Sequence, residues 1–190
     1  VDRAVEGANQ NYLTPEQQIP TKPLPYPWES CMTMANSWSY VPNDQYKSTA
    51  KILENLCLIV SRGGNYLLNI APNAQGEWDP VAYERLNEIG AWMNINGTAI
   101  YGTHPVAPYE VKTELGTWVF TENDNKDVYA IFIPIDVEVT FTPLPLDQFP
   151  ITNVKRILGL GDGSNYKVNK TSTVLLYSGK GLPQVWKLSK

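Results

Sequence analysis

One histidine and two cysteines in 190 residues leave this sequence short of the groups that most often carry catalysis or hold metals. A lone histidine, His104, argues against a zinc site or a Ser-His-Asp triad built within the chain. Cys31 and Cys57 define no disulfide framework and no metal motif, and their apolar surroundings read as buried free thiols. Positive charge is scarce too. The formal net charge is -4 and no basic stripe exists to neutralise phosphates, which argues against nucleic acid or an anionic membrane as a partner. No apolar run approaches the roughly 20 residues that span a bilayer. There is no Met start and no signal peptide; Val1-Asp2-Arg3 opens the chain as the continuation of a longer polypeptide would.

What is present is apolar and aromatic. A hydrophobic content of 43% suffices for the core of one large domain or two small ones. Six Trp and eleven Tyr suit either stacking on sugar rings or the aromatic core of a β-domain. Asn-x-Ser/Thr sequons stand at Asn96 and Asn169, and matter only in a secreted eukaryotic protein.

The chain changes character along its length. Residues 1–44 read as loop, because Pro15, Pro20, Pro23, Pro25 and Pro27 block long helices. Ser48 is placed to cap a helix running to about Ser61, with Ile52, Leu53, Leu56, Ile59 and Val60 on its buried side. Residues 61–72, SRGGNYLLNIAP, predict one buried strand over 66–70, entered through Gly63-Gly64-Asn65 and left through Ala71-Pro72. Asp79-Pro80 then forms an N-cap and first-turn pair for a second helix ending near 94–97, with Val81, Leu86, Ile89 and Met93 facing inward. A short apolar run between two amphipathic helices is the unit of a parallel α/β sheet or barrel. One such unit cannot bury itself. After about Pro105 six short strands are predicted, at 118–120, 128–133, 137–141, 154–158, 173–177 and 184–188, separated by Asn, Asp, Gly and Pro. That spacing suggests an antiparallel sandwich, so the expected organisation is an α/β part over 1–104 and an all-β part over 105–190.

With histidine and thiols excluded, carboxylates are left to do chemistry. Asp2, Glu16, Glu29 and Asp44 all lie in the loop-rich first part. Two carboxyl groups about 5 Å apart suit a retaining glycosidase, one as nucleophile and one as acid then base. Any single Asp or Glu in a loop is more often a solvated charge or a cap.

Four blocks in order, VDR, PWESCMTMANSWSY, SRGGNYLLNIAPNAQGEWDP and RLNEIGAWMNINGTAIYGT, resemble the α-L-fucosidases of glycoside hydrolase family 29. The resemblance covers about residues 1–103; the β-rich remainder fits that family's C-terminal sandwich in position and pattern only. It implies the C-terminal part of a (β/α)8 TIM-like barrel followed by an antiparallel β-sandwich, with the active site at the C-terminal ends of the strands. It implies retention through a covalent fucosyl-aspartate intermediate. The family nucleophile, an aspartate in a motif ending Asp-Arg, matches Asp2-Arg3. The acid/base follows a Trp-Gly-Tyr motif that reads Trp38-Ser39-Tyr40 here, which points to Asp44, where many members have Glu, with Glu16 as the alternative. Trp38, Tyr66 and Glu29 stand where the family supports or packs against fucose, each with a structural reading beside it. At Met32 some relatives carry a sugar-holding arginine that this chain lacks.

The resemblance implies no cofactor and no metal. It implies a fucosylated oligosaccharide or glycoconjugate as substrate and the N-terminal half of the same enzyme as partner. A homo-oligomer is compatible with it, and the compartment would be secreted, periplasmic or lysosomal. A fucose-binding relative without catalysis, or another barrel glycosidase, are the competing readings.

Overall fold

The computed structural model describes residues 11–143, 145–168, 174–177 and 180–190. The chain divides into two compact units, one up to Met93 and one from Asn94.

The first unit is parallel α/β. Strand β1 (Trp28–Thr33) leads through a long loop to helix α1 (Thr49–Ser61), then to strand β2 (Gly64–Asn69) and helix α2 (Pro80–Asn96). β1 and β2 pair in parallel from Trp28 opposite Gly64 to Thr33 opposite Asn69. β1 lies inside the region expected to be loop. Its sequence, WESCMT, mixes polar and apolar residues and so lacks the strand signature, yet Trp28, Ser30, Met32 and Thr33 are buried. A further segment runs parallel along its other edge: Leu13 and Glu16 form bridges to Trp28 and Cys31, and four backbone hydrogen bonds connect residues 13–17 to 27–31. Pro15 is tolerated there because it contributes only its carbonyl, which accepts from Cys31 N at 3.2 Å.

α1 begins where its cap predicts: the Ser48 side chain accepts from Lys51 N. Its burial is broader than a single stripe, taking in Thr49, Asn55, Cys57 and Ser61 beside Ile52, Leu53 and Ile59, while Leu56 and Val60 are half-buried. Beneath it, Trp28, Met32 and Ile59 form one core cluster and Met34, Ile52 and Ala82 another, with Tyr66 packed against both. Gly64 has a steric reason. A Cβ there would sit 2.4 Å from Trp28 Cζ2, so the indole occupies the space a side chain would need. In α2, Ala82 and Trp92 are buried and Leu86 and Ile89 pack inward, but Val81 is exposed. The Asn96 sequon ends α2 and is only 5% exposed, so its amide is closed to modification in the folded chain; Asn169 lies outside the described residues.

The second unit is β-rich. Among the described residues, a 3-10 turn (Gly97–Ala99) leads to eight strands: β3 (Thr103–Thr113), β4 (Gly116–Asn123), β5 (Val128–Pro134), β6 (Phe141–Pro143), β7 (Arg156–Gly159), β8 (Asn165–Lys167), β9 (Val174–Leu176) and β10 (Gln184–Ser189). Six form an antiparallel sheet in the order β3-β4-β5-β10-β7-β8, and β6 pairs with β9. Trp118, Phe120, Phe132, Phe149, Tyr177 and Trp186 build an aromatic core on one face, with ring centroids 4.8–5.8 Å apart. Burial pushes the Tyr177 phenol up to about 12.

The strand expectations differ at three places, one of them β8, which no predicted strand covers. Residues 136–140 turn rather than extend, because Asp136 Oδ1 accepts from Glu138 N and breaks the run before β6. β3 was hidden by Pro105 and Pro108, which an edge strand with a register shift between Pro105 and Glu110 accommodates. The division into units also precedes the change of sequence pattern at Pro105. Thr121 Oγ1, on β4, donates to Ala99 O at 2.7 Å and ties the 3-10 turn to the sheet.

Candidate active site

Residues in register on parallel strands share a face, and alternate residues point opposite ways. Trp28, Ser30 and Met32 of β1, with Gly64, Tyr66 and Leu68 of β2, belong to the side covered by α1: Asn55 Nδ2 of that helix reaches Met32 Sδ at 3.5 Å. Glu29, Cys31 and Thr33, with Asn65, Leu67 and Asn69, therefore share the other side. The bridge to Cys31 puts Glu16 on that side too. This second face is mostly polar and partly exposed: Asn65 and Leu67 are open, Leu67 at 51%, while Thr33 at its end is buried and bonded to Gln17 and Lys47.

The expected site residues divide accordingly. Glu16 and Glu29 share the open face. Glu29 takes a hydrogen bond from Tyr12, and desolvation together with the Glu29 charge holds that phenol above its ordinary value. Tyr66 lies on the opposite face. It packs among Trp28, Met32 and Ile59, and burial raises its phenol. A sugar resting on the open face would not touch it; the preceding Gly63-Gly64 turn left its direction unreadable from sequence. His104 belongs to β3, where its Nε2 lies 3.1 Å from Glu122 Oε1. Asp2 lies outside the described residues.

Asp44 and Trp38 sit in the loop that leaves the C-terminal end of β1. Its neck is closed by the Ala35–Tyr46 bridge and by Lys47 N donating to Met34 O at 2.9 Å. Lys47 Nζ caps the strand end, reaching Thr33 O at 2.5 Å and both Thr33 Oγ1 and Ala35 O at 3.2 Å. Gln17 Nε2 donates to the same Thr33 hydroxyl at 2.9 Å, which ties residues 13–17 to this end of the sheet. Desolvation lowers the Lys47 ammonium despite the opposing charge of Asp44.

Inside the loop, Asp44 Oδ2 accepts from Ser37 N at 2.9 Å and Oδ1 from Gln45 N at 2.7 Å. Desolvation raises Asp44, but the amide donors of Gln45, Ser37 and Asn36 outweigh it and hold the carboxyl below its ordinary value. Trp38 O accepts from Asn69 Nδ2 at 3.0 Å, while the Trp38 indole stands 42% exposed, free to stack. A concavity at these strand ends is lined by Ser37, Tyr40, Asp44, Tyr46 and Asn69 among others. Ligands of open α/β sheets and parallel barrels bind at the carboxyl ends of strands, which is where these groups converge.

Gln17, Thr33 and Lys47 escaped the sequence reading, and Asp79 reads there only as a helix cap. Each acts through β1 or its loop, and β1 itself was not recognised. Among the described residues, no three His, Cys, Asp or Glu side chains gather into a metal site, and no helix is long and apolar enough to cross a membrane.

Comparison with known proteins gives one family. The family model described as alpha-L-fucosidase matches residues 1–98. The plasma alpha-L-fucosidase of Rattus norvegicus is 32% identical over 183 residues, covering 94% of this chain and 36% of its own length. The tissue alpha-L-fucosidase of Mus musculus is 38% identical over 127 residues, 64% of this chain and 28% of its own. Among solved structures, alpha-L-fucosidase isoenzyme 1 from Paenibacillus thiaminolyticus superposes with a TM-score of 0.76 at 28% identity, covering 94% of this chain and 45% of that one. A Thermotoga maritima alpha-fucosidase in complex with fucose gives 0.74 at 23% identity, over 96% and 43%, a likeness of fold. The chain thus spans about a third of the length of the curated relatives it matches.

Proposed function

Because this chain belongs to the alpha-L-fucosidase family, we propose that it contributes one side of the active site of a retaining exo-α-L-fucosidase acting on fucosylated glycans. The observation that carries this reading is the polar, partly exposed face of β1 and β2, with a carboxylate-bearing loop at the strands' C-terminal ends. A face of that composition is the wall of a sugar pocket whose other wall comes from elsewhere. The parallel unit is accordingly the end of a (β/α)8 barrel, completed by an N-terminal half of the same enzyme, and the β-rich unit is a sandwich that follows it. The plasma and tissue relatives support a secreted or lysosomal place.

In the proposed mechanism Asp2 attacks the anomeric carbon as the glycosidic bond breaks, leaving fucose covalently attached to its carboxylate. Asp44 donates its proton to the departing oxygen, then takes one from the water that releases fucose with net retention. General acid/base assistance of this kind is worth about 10² to 10⁴ in rate. A general acid must be protonated before the first step, and the amide donors hold Asp44 the other way. A second carboxylate within a few ångströms raises a neighbour's pKa, and the nucleophile supplies one in the completed site. Glu16 is the second reading, favoured by its place on the open face and by the tied oxygens of Asp44.

Azide separates the two. In the complete enzyme, Asp2→Gly should abolish turnover of an aryl α-L-fucoside, and added azide should give the β-fucosyl azide by direct displacement. The acid/base variant, Asp44→Ala on the first reading, should keep kcat/KM on dinitrophenyl fucoside and yield the α-fucosyl azide. Wild-type behaviour of Asp44→Ala, with those signatures in Glu16→Ala instead, moves the role to Glu16.

A further inference from the structure

The Asp44 loop is held by more than its own backbone. Tyr40 and Tyr46 stand on either side of Asp44 in sequence, and both hydroxyls donate to one carboxylate across the turn into the next βα unit. Tyr46 OH reaches Asp79 Oδ2 at 3.2 Å and Tyr40 OH reaches Oδ1 at 3.4 Å. Asp79 immediately precedes α2, with Ala82 N donating to its backbone oxygen, so it sits at a helix start where negative charge is favoured. Its side chain is spent on the two tyrosines. Asp79-Pro80 in the sequence reads as a cap and no more; the carboxylate instead clamps a neighbouring loop.

We propose that Asp79 is a positioning residue for catalysis: through Tyr40 and Tyr46 it fixes the span that carries Asp44 at the C-terminal end of β1. The inference rests on the fucosidase reading for its catalytic consequence but not for its geometry. Tyr40 and Tyr46 leave only five residues between them, and this span contains a tight turn, with Asp44 N donating to Val41 O at 3.2 Å and Asn43 at φ 60. Pinning both ends of so short a segment leaves its middle little freedom, and Asp44 then closes it by accepting from Ser37 and Gln45. The phenols of both tyrosines are raised by desolvation and by the Asp79 charge and hydrogen bond, as expected for donors to a carboxylate. An unclamped loop would carry the same residues with the reacting carboxyl displaced, and a displacement near 1 Å costs on the order of 10² in rate.

The test uses the complete enzyme with Asp79→Asn, which keeps the shape, and separately with the pair Tyr40→Phe and Tyr46→Phe. Positioning of an acid is read by leaving-group dependence. kcat/KM on phenyl α-L-fucoside should fall about 10²-fold in both variants, and kcat/KM on the dinitrophenyl fucoside should stay near wild type. Combining all three changes should add nothing further, since one linkage is being cut. Equal loss on both substrates, or no loss on either, overturns the catalytic role. Hydrogen exchange at the Ser37 and Gln45 amides is the independent measurement. Faster exchange in both variants, with unchanged protection in β1, supports the clamp even if Asp44→Ala shows that the acid lies elsewhere. Unchanged exchange at those amides overturns it.

Discussion

At the scale of single residues, the most consequential feature is how a carboxylate is used. Asp44 spends both oxygens on amide donors of its own loop, so its ionised form is part of the loop's structure. A group whose folded pKa is depressed contributes stability above its ordinary value, and that contribution is lost as pH falls through the folded value. Here the shift is downward. Protection of the Ser37 and Gln45 amides should therefore hold at neutral pH and fade below about pH 4, the ordinary range of an Asp side chain. Asp44→Asn should remove that pH dependence, and hydrogen exchange measured from pH 7 to 3 reads both. An unchanged acid profile in the variant would show that the amides are held by something else. Tyr66 gives the opposite lesson. Its place after Gly63-Gly64-Asn65 offered a barrel-lining reading and a sugar-pocket reading, and register with Ser30 turns it toward α1 instead. Facing is a two-residue periodicity, and it cannot be read from a strand whose partner is unrecognised.

At the scale of elements, helices were legible and strands only partly so. α1 and α2 carry their own start signals, Ser48 and Asp79-Pro80, and helical amphipathicity is local. β1 has no such signal. WESCMT shows no clean alternation, because polar Ser30 lies on the face toward α1 and Cys31 on the other, and that other face is the one proposed to be functional. The same property that makes β1 useful makes it hard to see. β3 hid behind its prolines for a different reason, since an edge strand needs only one of its sides to pair.

The packing of β1 against β2 depends on Gly64, where the Trp28 indole fills the volume of a Cβ. Trp28 is 1% exposed and its Nε1 donates to Arg62 O at 3.3 Å, so the ring cannot simply swing aside. Gly64→Ala should cost about 1–3 kcal/mol, the usual range for overpacking. Thermal unfolding should show a lowered midpoint, relieved by adding Trp28→Phe. A midpoint at the wild-type value would mean the indole has room to move.

At the scale of the whole molecule, two units with different grammars follow one another. The β-rich unit buries its aromatic core between its own strands and needs nothing further to do so. The parallel unit, by contrast, buries one face and leaves the other mostly polar and partly open among the described residues. Glu16 and Glu29 lie on that open side and the Asp44 loop at the strands' C-terminal ends, while the chain covers only 36% of its rat plasma relative and 45% of the Paenibacillus structure. The proposed enzyme is the sum of this wall and the barrel half that faces it, with Asp2 as its proposed nucleophile.

Trapping the intermediate tests that account most directly. The complete enzyme would be treated with 2-deoxy-2-fluoro-fucosyl fluoride, whose electron-poor ring slows release of the covalent species, then digested and read by mass spectrometry. A single fluorofucosyl group on the peptide containing Asp2, lost in Asp2→Gly, is the predicted result. A label on Glu16, Glu29 or Asp44, or no label together with release of the inverted sugar from an aryl fucoside, would contradict it.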